Sequence, residues 1–165
     1  MKLMREVDPS TAIPEMITTS PDLLRIFPML KAPSFARSLK RCWRILEGQV
    51  SQGFVMERKP DAHFARFGST EILISVHPAH RRQGVATRAL EQLLKKMDDA
   101  FVLVSPENPA ALSLFSRMKG FSQVHDLQQA RVYWQDRMDS MDISCPSGPA
   151  TVPLLKHSSG TIVLS

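Results

Sequence analysis

The stretch Val76 to Leu90, VHPAHRRQGVATRAL, constrains the fold more than any other part of the chain. The residues leading into it, Glu71 to Val76 (EILISV), are apolar and β-branched and predict a strand. Pro78 breaks that strand. From Val85 onward, Val85, Ala86, Ala89, Leu90, Leu93, Leu94 and Met97 recur at steps of one and three. That spacing predicts a helix with one apolar face and with Glu91, Lys95 and Lys96 off it. Ala100 to Val104 (AFVLV) then reads as a short strand covered on both faces. A strand, a basic turn, a helix and a buried strand in this order belong to a sheet with helices packed against it.

The flanking segments extend the pattern. Lys2 to Val7 predicts an opening strand. Asp8, Ser10 and Thr11, and later Ser20-Pro21-Asp22, offer helix starts. Thr11 to Lys40 is therefore expected to be mostly helical, broken near Pro28 and Pro33. Cys42 to Leu46 and Gly53 to Arg58 predict two strands joined by a turn at Glu47-Gly48-Gln49. Asp61 to Ser69 reads as a loop or a strand end. A helix begins at Pro109, with Ala110, Ala111, Leu114, Phe115 and Met118 on one face, and Gly120 stops it. Phe121 to Val124 and Ala130 to Gln135 complete the strands. The expected class is α/β (mixed α+β), with a central mixed sheet and helices on both faces.

The 165 residues suit one domain, placed at residues 1–137. Residues 138–165 are rich in Ser, Pro, Thr and Gly and are expected to form a flexible tail. Within it, Val152 to Leu155 and Ile162 to Leu164 are short apolar pieces able to dock on the domain or on a partner. A 43% hydrophobic and 22% charged composition excludes a wholly disordered chain. No apolar run approaches the roughly 18 residues of a membrane span. MKLMREVDPS meets charge too early for a signal peptide, so a cytoplasmic location is expected. Cys42 and Cys145 fit neither metal-ligand spacing nor a disulfide framework and read as free thiols, with no metal. The net charge of +5 permits a nucleic acid or an anionic cofactor and requires neither.

The turn itself has a chemistry. A helix that starts straight after a strand leaves several N–H groups unpaired, at the positive end of its dipole. Gly84 and Ala86 keep the backbone approachable, and Arg81 and Arg82 add full charges. Together with Gln83, Val85 and Thr87 they make a pyrophosphate seat. The alternative is a basic helix cap without a ligand. The chain has no P-loop and no GxGxxG fingerprint.

Arg81-x-x-Gly84-x-Ala86, after a strand ending Val76-x-Pro78, resembles motif A of the GNAT family of N-acetyltransferases. Asn108-x-x-Ala111-x-x-Leu114-Phe115, followed by Gly120-Phe121, resembles its motif B, and one helix and one strand fit between the two. The resemblance covers about residues 1–137. It implies a six- to seven-stranded sheet with a splay between the fourth and fifth strands. It also implies acetyl-coenzyme A as co-substrate and transfer of the acetyl group to an amine of a small molecule or protein. One departure is chemical. Phe115 stands where the family often has a tyrosine that protonates the departing thiolate, and phenylalanine cannot do so. Water can take over that protonation, or the domain binds the cofactor without transferring from it.

The resemblance assigns roles to individual residues. Ile74 and Val76 would pair with the pantetheine arm as an added strand. The Val76 N–H would face the thioester oxygen as it gains charge. Arg81 to Thr87 would hold the pyrophosphate, Asn108 the pantetheine arm or the following helix, and Phe115 the thiol end or the core. The amine must lose a proton to a base within reach. Glu71 heads the strand and is the first candidate; its alternative is a strand-edge carboxylate in solvent. His77 follows the strand and titrates near neutrality, with a surface loop as its alternative. Tyr133 is the only tyrosine, with strand packing as its alternative. Lys31, Arg37, Lys40, Arg41 and Arg44 favour an acidic acceptor or RNA, or form a solvated face. Trp43 and Trp134 stack on substrate or pack in the sheet. Two other readings therefore stand beside the transferase: a sensor that binds acetyl-coenzyme A, and an enzyme acetylating aminoacyl-tRNA. A monomer or a homodimer fits each of them.

Overall fold

Fourteen short elements make up the described chain, and their order follows the apolar periodicities. The structure, a computed structural model, describes residues 4–60, 62, 65, 68–97, 99–104, 109–124 and 154–158. Contacts divide it into two compact units: Met1–Arg58 with Ile72–Met97, and Lys59–Glu71 with Asp98–Ser165.

The first unit opens with strand β1 (Met4–Glu6) and helix α1 (Pro9–Thr19). Asp8 caps α1 by accepting the Ser10 N–H at 2.8 Å. Two short helices follow, α2 (Leu23–Ile26) and α3 (Pro33–Ser38), separated by a 3-10 turn at Pro28–Lys31. The prolines at 28 and 33 set these breaks, as the sequence predicts. Strands β2 (Leu39–Glu47) and β3 (Val50–Arg58) form an antiparallel hairpin, and β1 pairs with the outer edge of β2. Strand β4 (Thr70–Val76) lies on the other side of β3. Helix α4 (Val85–Leu94) completes the unit.

Ala12, Ile13 and Met16 from α1 are buried, as are Cys42 and Ile45 from β2, Phe54 to Met56 from β3, and Val85, Ala89, Leu90 and Leu93 from α4. The α4 positions are those the three- and four-residue spacing picks out.

One irregularity positions the site. Ile45 faces Gly53 and Leu46 faces Ser51, so Gln52 is an extra residue in β3, a β-bulge. The Gln52 carbonyl accepts the His77 N–H at 2.8 Å, tying the bulge to the residue that follows β4. Gly53 lies so close to β4 that an added Cβ would sit 2.2 Å from the Ser75 carbonyl oxygen.

In the second unit, Thr70 and Glu71 pair in parallel with Ala100 and Phe101 of β5 (Asp99–Leu103). Helix α5 (Pro109–Arg117) precedes β6 (Phe121–Val124), and Gly120 between them has the positive φ of a helix stop, +89°. Strand β7 (Leu154–Ser158) pairs antiparallel with β5 and with β6. These five residues lie within the stretch 138–165 that the sequence reads as a flexible tail. Leu154 and Leu155 belong to one of the two apolar pieces noted in the sequence. Two strand edges with unpaired backbone groups give such a piece a place that its composition does not announce. The strand expected at Ala130 to Gln135 lies outside the described residues. The mixed α/β class, with β4 and β5 parallel, is as the sequence predicts.

Among the described residues no helix is long and apolar enough to cross a membrane, and no group of three or more His, Cys, Asp or Glu could hold a metal ion. Cys42 is fully buried and free. Burial pushes its thiol up to about 12, with Arg44 pulling weakly the other way. Cys42 should therefore resist iodoacetamide at pH 7.5 in the native protein and react only after unfolding. Mass spectrometry of the modified peptide checks this, and rapid native labelling would contradict the buried placement.

Candidate active site

The turn from Pro78 to Thr87 is a 3-10 turn (Pro78–His80), then Arg81 to Gly84, then the start of α4. Two of its residues have left-handed backbones, Arg82 at φ +62° and Gly84 at φ +74°. For Arg82 that conformation costs roughly 1–2 kcal/mol. Gly84 is the N-cap and supplies no side chain to cap α4. The first intrahelical bond comes from Arg88 N–H, which donates to the Gly84 carbonyl at 3.1 Å. The N–H groups of Gly84, Val85, Ala86 and Thr87 thus precede the helical ladder and have no acceptor within it. The surface from Arg81 to Gly84 is exposed.

The side chains divide the work. Arg82 makes no hydrogen bond or ion pair among the described residues and stays available as a cation. Arg81, expected as a second free charge, is engaged. Its Nε donates to the Val76 carbonyl at 3.0 Å, and its Nη atoms reach both oxygens of Asp22 at 3.3 and 3.4 Å. Gln83 donates from Nε2 to the Ala79 carbonyl at 3.2 Å, and its own carbonyl accepts from Arg88 Nη1 at 2.9 Å. Both bonds brace the turn. Val85 is buried in the core, so it can offer a ligand only its N–H. Bare N–H groups, a glycine N-cap and a free guanidinium fit a pyrophosphate.

The end of β4 leads into this turn. His77 N–H points to β3, where Gln52 accepts it. Successive peptide groups of a strand point to opposite edges, so the N–H groups of Val76 and Ile74 point away from β3. The Val76 carbonyl on that edge is already held by Arg81.

His77 is 9% exposed, not the surface loop residue of the alternative reading. Its Nδ1 lies 3.0 Å from Thr19 Oγ1 and its Nε2 lies 3.2 Å from Ser51 Oγ. Thr19 donates its single hydroxyl proton back along α1, to the Glu15 carbonyl at 2.7 Å. That bond favours a neutral ring with its proton on Nδ1, donated to Thr19, and its Nε2 lone pair toward Ser51. Glu15 Oε1 stands 3.9 Å from Nε2, and Glu15 Oε2 pairs with Arg44 Nη2 at 2.5 Å. Phe54 meets the imidazole edge-on, with ring centroids 5.8 Å apart, and carries the Arg44 guanidinium at 5.4 Å. Burial pushes the His77 pKa below its ordinary value, opposed by Glu15 and helped by His80, Arg44 and Arg81. His77 is thus a neutral base whose lone pair faces a hydroxyl and a carboxylate.

The remaining candidates fall elsewhere. Glu71 is 1% exposed, which overturns its alternative as a solvent-facing carboxylate. It pairs in register with Phe101 in the second unit. Phe115 is 3% exposed and packs edge-to-face on Phe121, with ring centroids 5.2 Å apart; it serves the core of that unit. Asn108, Tyr133 and Trp134 lie outside the described residues. Trp43 is half-buried, donates from Nε1 to Glu57 Oε1 at 3.2 Å and carries Arg41 over its ring. Arg41 and Arg44 therefore have partners within the protein, and of the basic cluster Lys31, Arg37, Lys40 and Arg41 are exposed. Sequence reading missed Glu15, Thr19, Asp22 and Ser51. Each is an ordinary polar residue of a helix, loop or strand, and only Asp22 carried a signal, as a helix start.

Known proteins share this fold. The family model described as acetyltransferase (GNAT) family matches residues 16–121. No curated protein matches the chain at a significant level. Solved structures resemble it over nearly their whole length. Spermidine N-acetyltransferase from Vibrio cholerae, in complex with CoA and spermine, is 14% identical, with a TM-score of 0.61 over 93% of this chain and 92% of that one. YncA from Salmonella typhimurium, with its cofactor acetyl-CoA, is 13% identical, with a TM-score of 0.60 over 98% and 96%. Ribosomal-protein-alanine N-acetyltransferase from Brucella melitensis is 13% identical, with a TM-score of 0.61 over 95% and 99%.

Proposed function

The chain belongs to the acetyltransferase (GNAT) family, and on that premise we propose that it moves an acetyl group from acetyl-coenzyme A to a primary amine of a small molecule or protein by direct attack. The observation that carries this reading is the start of α4. Four N–H groups without helical acceptors follow an exposed basic turn, directly after a strand end whose outer edge faces away from β3. Bound acetyl-coenzyme A supplies an activated thioester and a thiolate leaving group. The chain supplies the rest. The N–H groups of Gly84 to Thr87 and the Arg82 guanidinium hold the pyrophosphate. Ile74 pairs its backbone with the pantetheine arm. The Val76 N–H meets the carbonyl oxygen as negative charge develops there.

Of the two candidates among the described residues, His77 is the better-placed proton acceptor. It adjoins Val76, its Nε2 lone pair faces the half-buried Ser51 hydroxyl, and Glu15 stands ready to stabilise the imidazolium. Glu71 precedes Val76 by five positions along one strand, about 16 Å at roughly 3.3 Å per residue. That is too far for a direct proton transfer. The Ser51 hydroxyl passes the proton from the amine side to Nε2.

Calorimetry with acetyl-coenzyme A, with thiol release followed across a panel of amines and peptides, tests the reading. Binding with release supports a transferase. Binding without release supports a sensor, and no binding removes the phosphate-seat assignment. His77→Gln should lower kcat about 100-fold, in the range of general-base losses, while acetyl-coenzyme A affinity stays within about twofold. In the wild type, kcat/KM should fall as pH drops below His77's depressed pKa, because the protonated ring cannot accept the amine's proton. An unchanged rate in the variant would place the base elsewhere.

A further inference from the structure

Asp22 is the N-cap of α2, yet its side chain makes no capping hydrogen bond. Both of its oxygens go instead to Arg81, 59 positions away in sequence. Arg81 is the first residue of the turn that seats the pyrophosphate, and its Nε holds the Val76 carbonyl at the end of β4. The two side chains are 44% and 42% exposed, so the pair is open to an incoming anion. A carboxylate that spans a guanidinium through two oxygens presents the same acceptor geometry as a phosphate. We propose that Asp22 is the resident anion of the Arg81–Ala86 turn, holding Arg81 until the pyrophosphate of the incoming cofactor displaces it.

The proposal rests on the phosphate-seat reading and adds a competitor to it. Displacement has two consequences. Cofactor binding must first break an ion pair, which weakens it. The Arg81 contact that fixes the segment before α2 is then lost, so cofactor arrival frees Asp22 from the turn. The Nε bond to Val76 can persist, because it uses a different nitrogen.

The test is coenzyme A binding by calorimetry to the wild type, Asp22→Asn, Arg81→Gln and the double variant. Asparagine keeps the shape and removes the charge at an exposed position, so folding is preserved. Asp22→Asn should bind two- to fivefold more tightly than the wild type, the gain expected from removing an exposed competing pair. In the Arg81→Gln background the same substitution should change affinity little, since the competition runs through Arg81. Equal or weaker binding by Asp22→Asn overturns the proposal. So does a gain that survives in the Arg81→Gln background, because it would then reflect only a lost negative charge. If wild-type protein does not bind coenzyme A at all, the phosphate-seat reading itself has failed, and the proposal falls with it.

Discussion

Gly84→Glu should bind coenzyme A at least about 100-fold more weakly than the wild type. The glutamate places a carboxylate among the N–H groups that would receive the pyrophosphate. Two like charges about 4 Å apart near a protein surface repel by roughly 4 kcal/mol, and salt screening reduces that to an effect on the order of 100-fold. The backbone contributes separately. Gly84 has φ +74°, so any side chain there costs about 1 kcal/mol of strain. An added Cβ would also lie 2.9 Å from Arg88 Nη1, the mobile end of a long side chain that can move aside. Gly84→Ala carries the same strain without charge and should keep affinity within about tenfold of the wild type. Calorimetry on both variants, with melting curves to confirm folding, separates charge from strain. Unchanged affinity in Gly84→Glu would show that no phosphate sits at this turn.

Gly53→Ala should destabilise the fold by about 3 kcal/mol, the upper range of overpacking costs. Its Cβ would sit 2.2 Å from the Ser75 carbonyl oxygen and 2.9 Å from the Val76 Cα. Both neighbours are backbone, so no rotamer change relieves the clash. The contact between β3 and β4 would have to open, and with it the bond from His77 N–H to Gln52. A domain with roughly 5–15 kcal/mol to spare loses a large share of it. Gly48→Ala is the matched control: it also has positive φ, +60°, but nothing lies within 4 Å of the added methyl. That variant should lose only about 1 kcal/mol. Denaturant unfolding of the two variants gives the comparison. Equal losses would mean that the close approach of β3 to β4 is absent in solution.

The two predictions meet at one place. Gly53 lets β3 lie against the end of β4, and the bulge beside it aims the Gln52 carbonyl at His77. This fixes which edge of β4 the Val76 N–H points from. Gly84 opens the helix start a few residues later. The candidate site depends on both glycines for different reasons, one for packing and one for access.

How much of this was legible in the sequence depends on the range of the interactions. Sequence by itself determined the local features. The apolar spacing of α4, the prolines that divide residues 20–40, the Gly84 turn and the buried strands are set by neighbours within a few positions. That was enough for the fold class and for the turn we propose as the phosphate seat. It did not place the side chains around His77. Thr19 lies 58 positions away and Ser51 lies 26 away, and no periodicity links them. It did not show that Arg81 is already engaged, because Asp22 is 59 positions away. Nor did it show Glu71 buried or Leu154–Ser158 paired between two strands. Strand register and the docking of α1 decided those contacts, since a hydrogen bond between distant side chains forms only where packing has brought the backbones together.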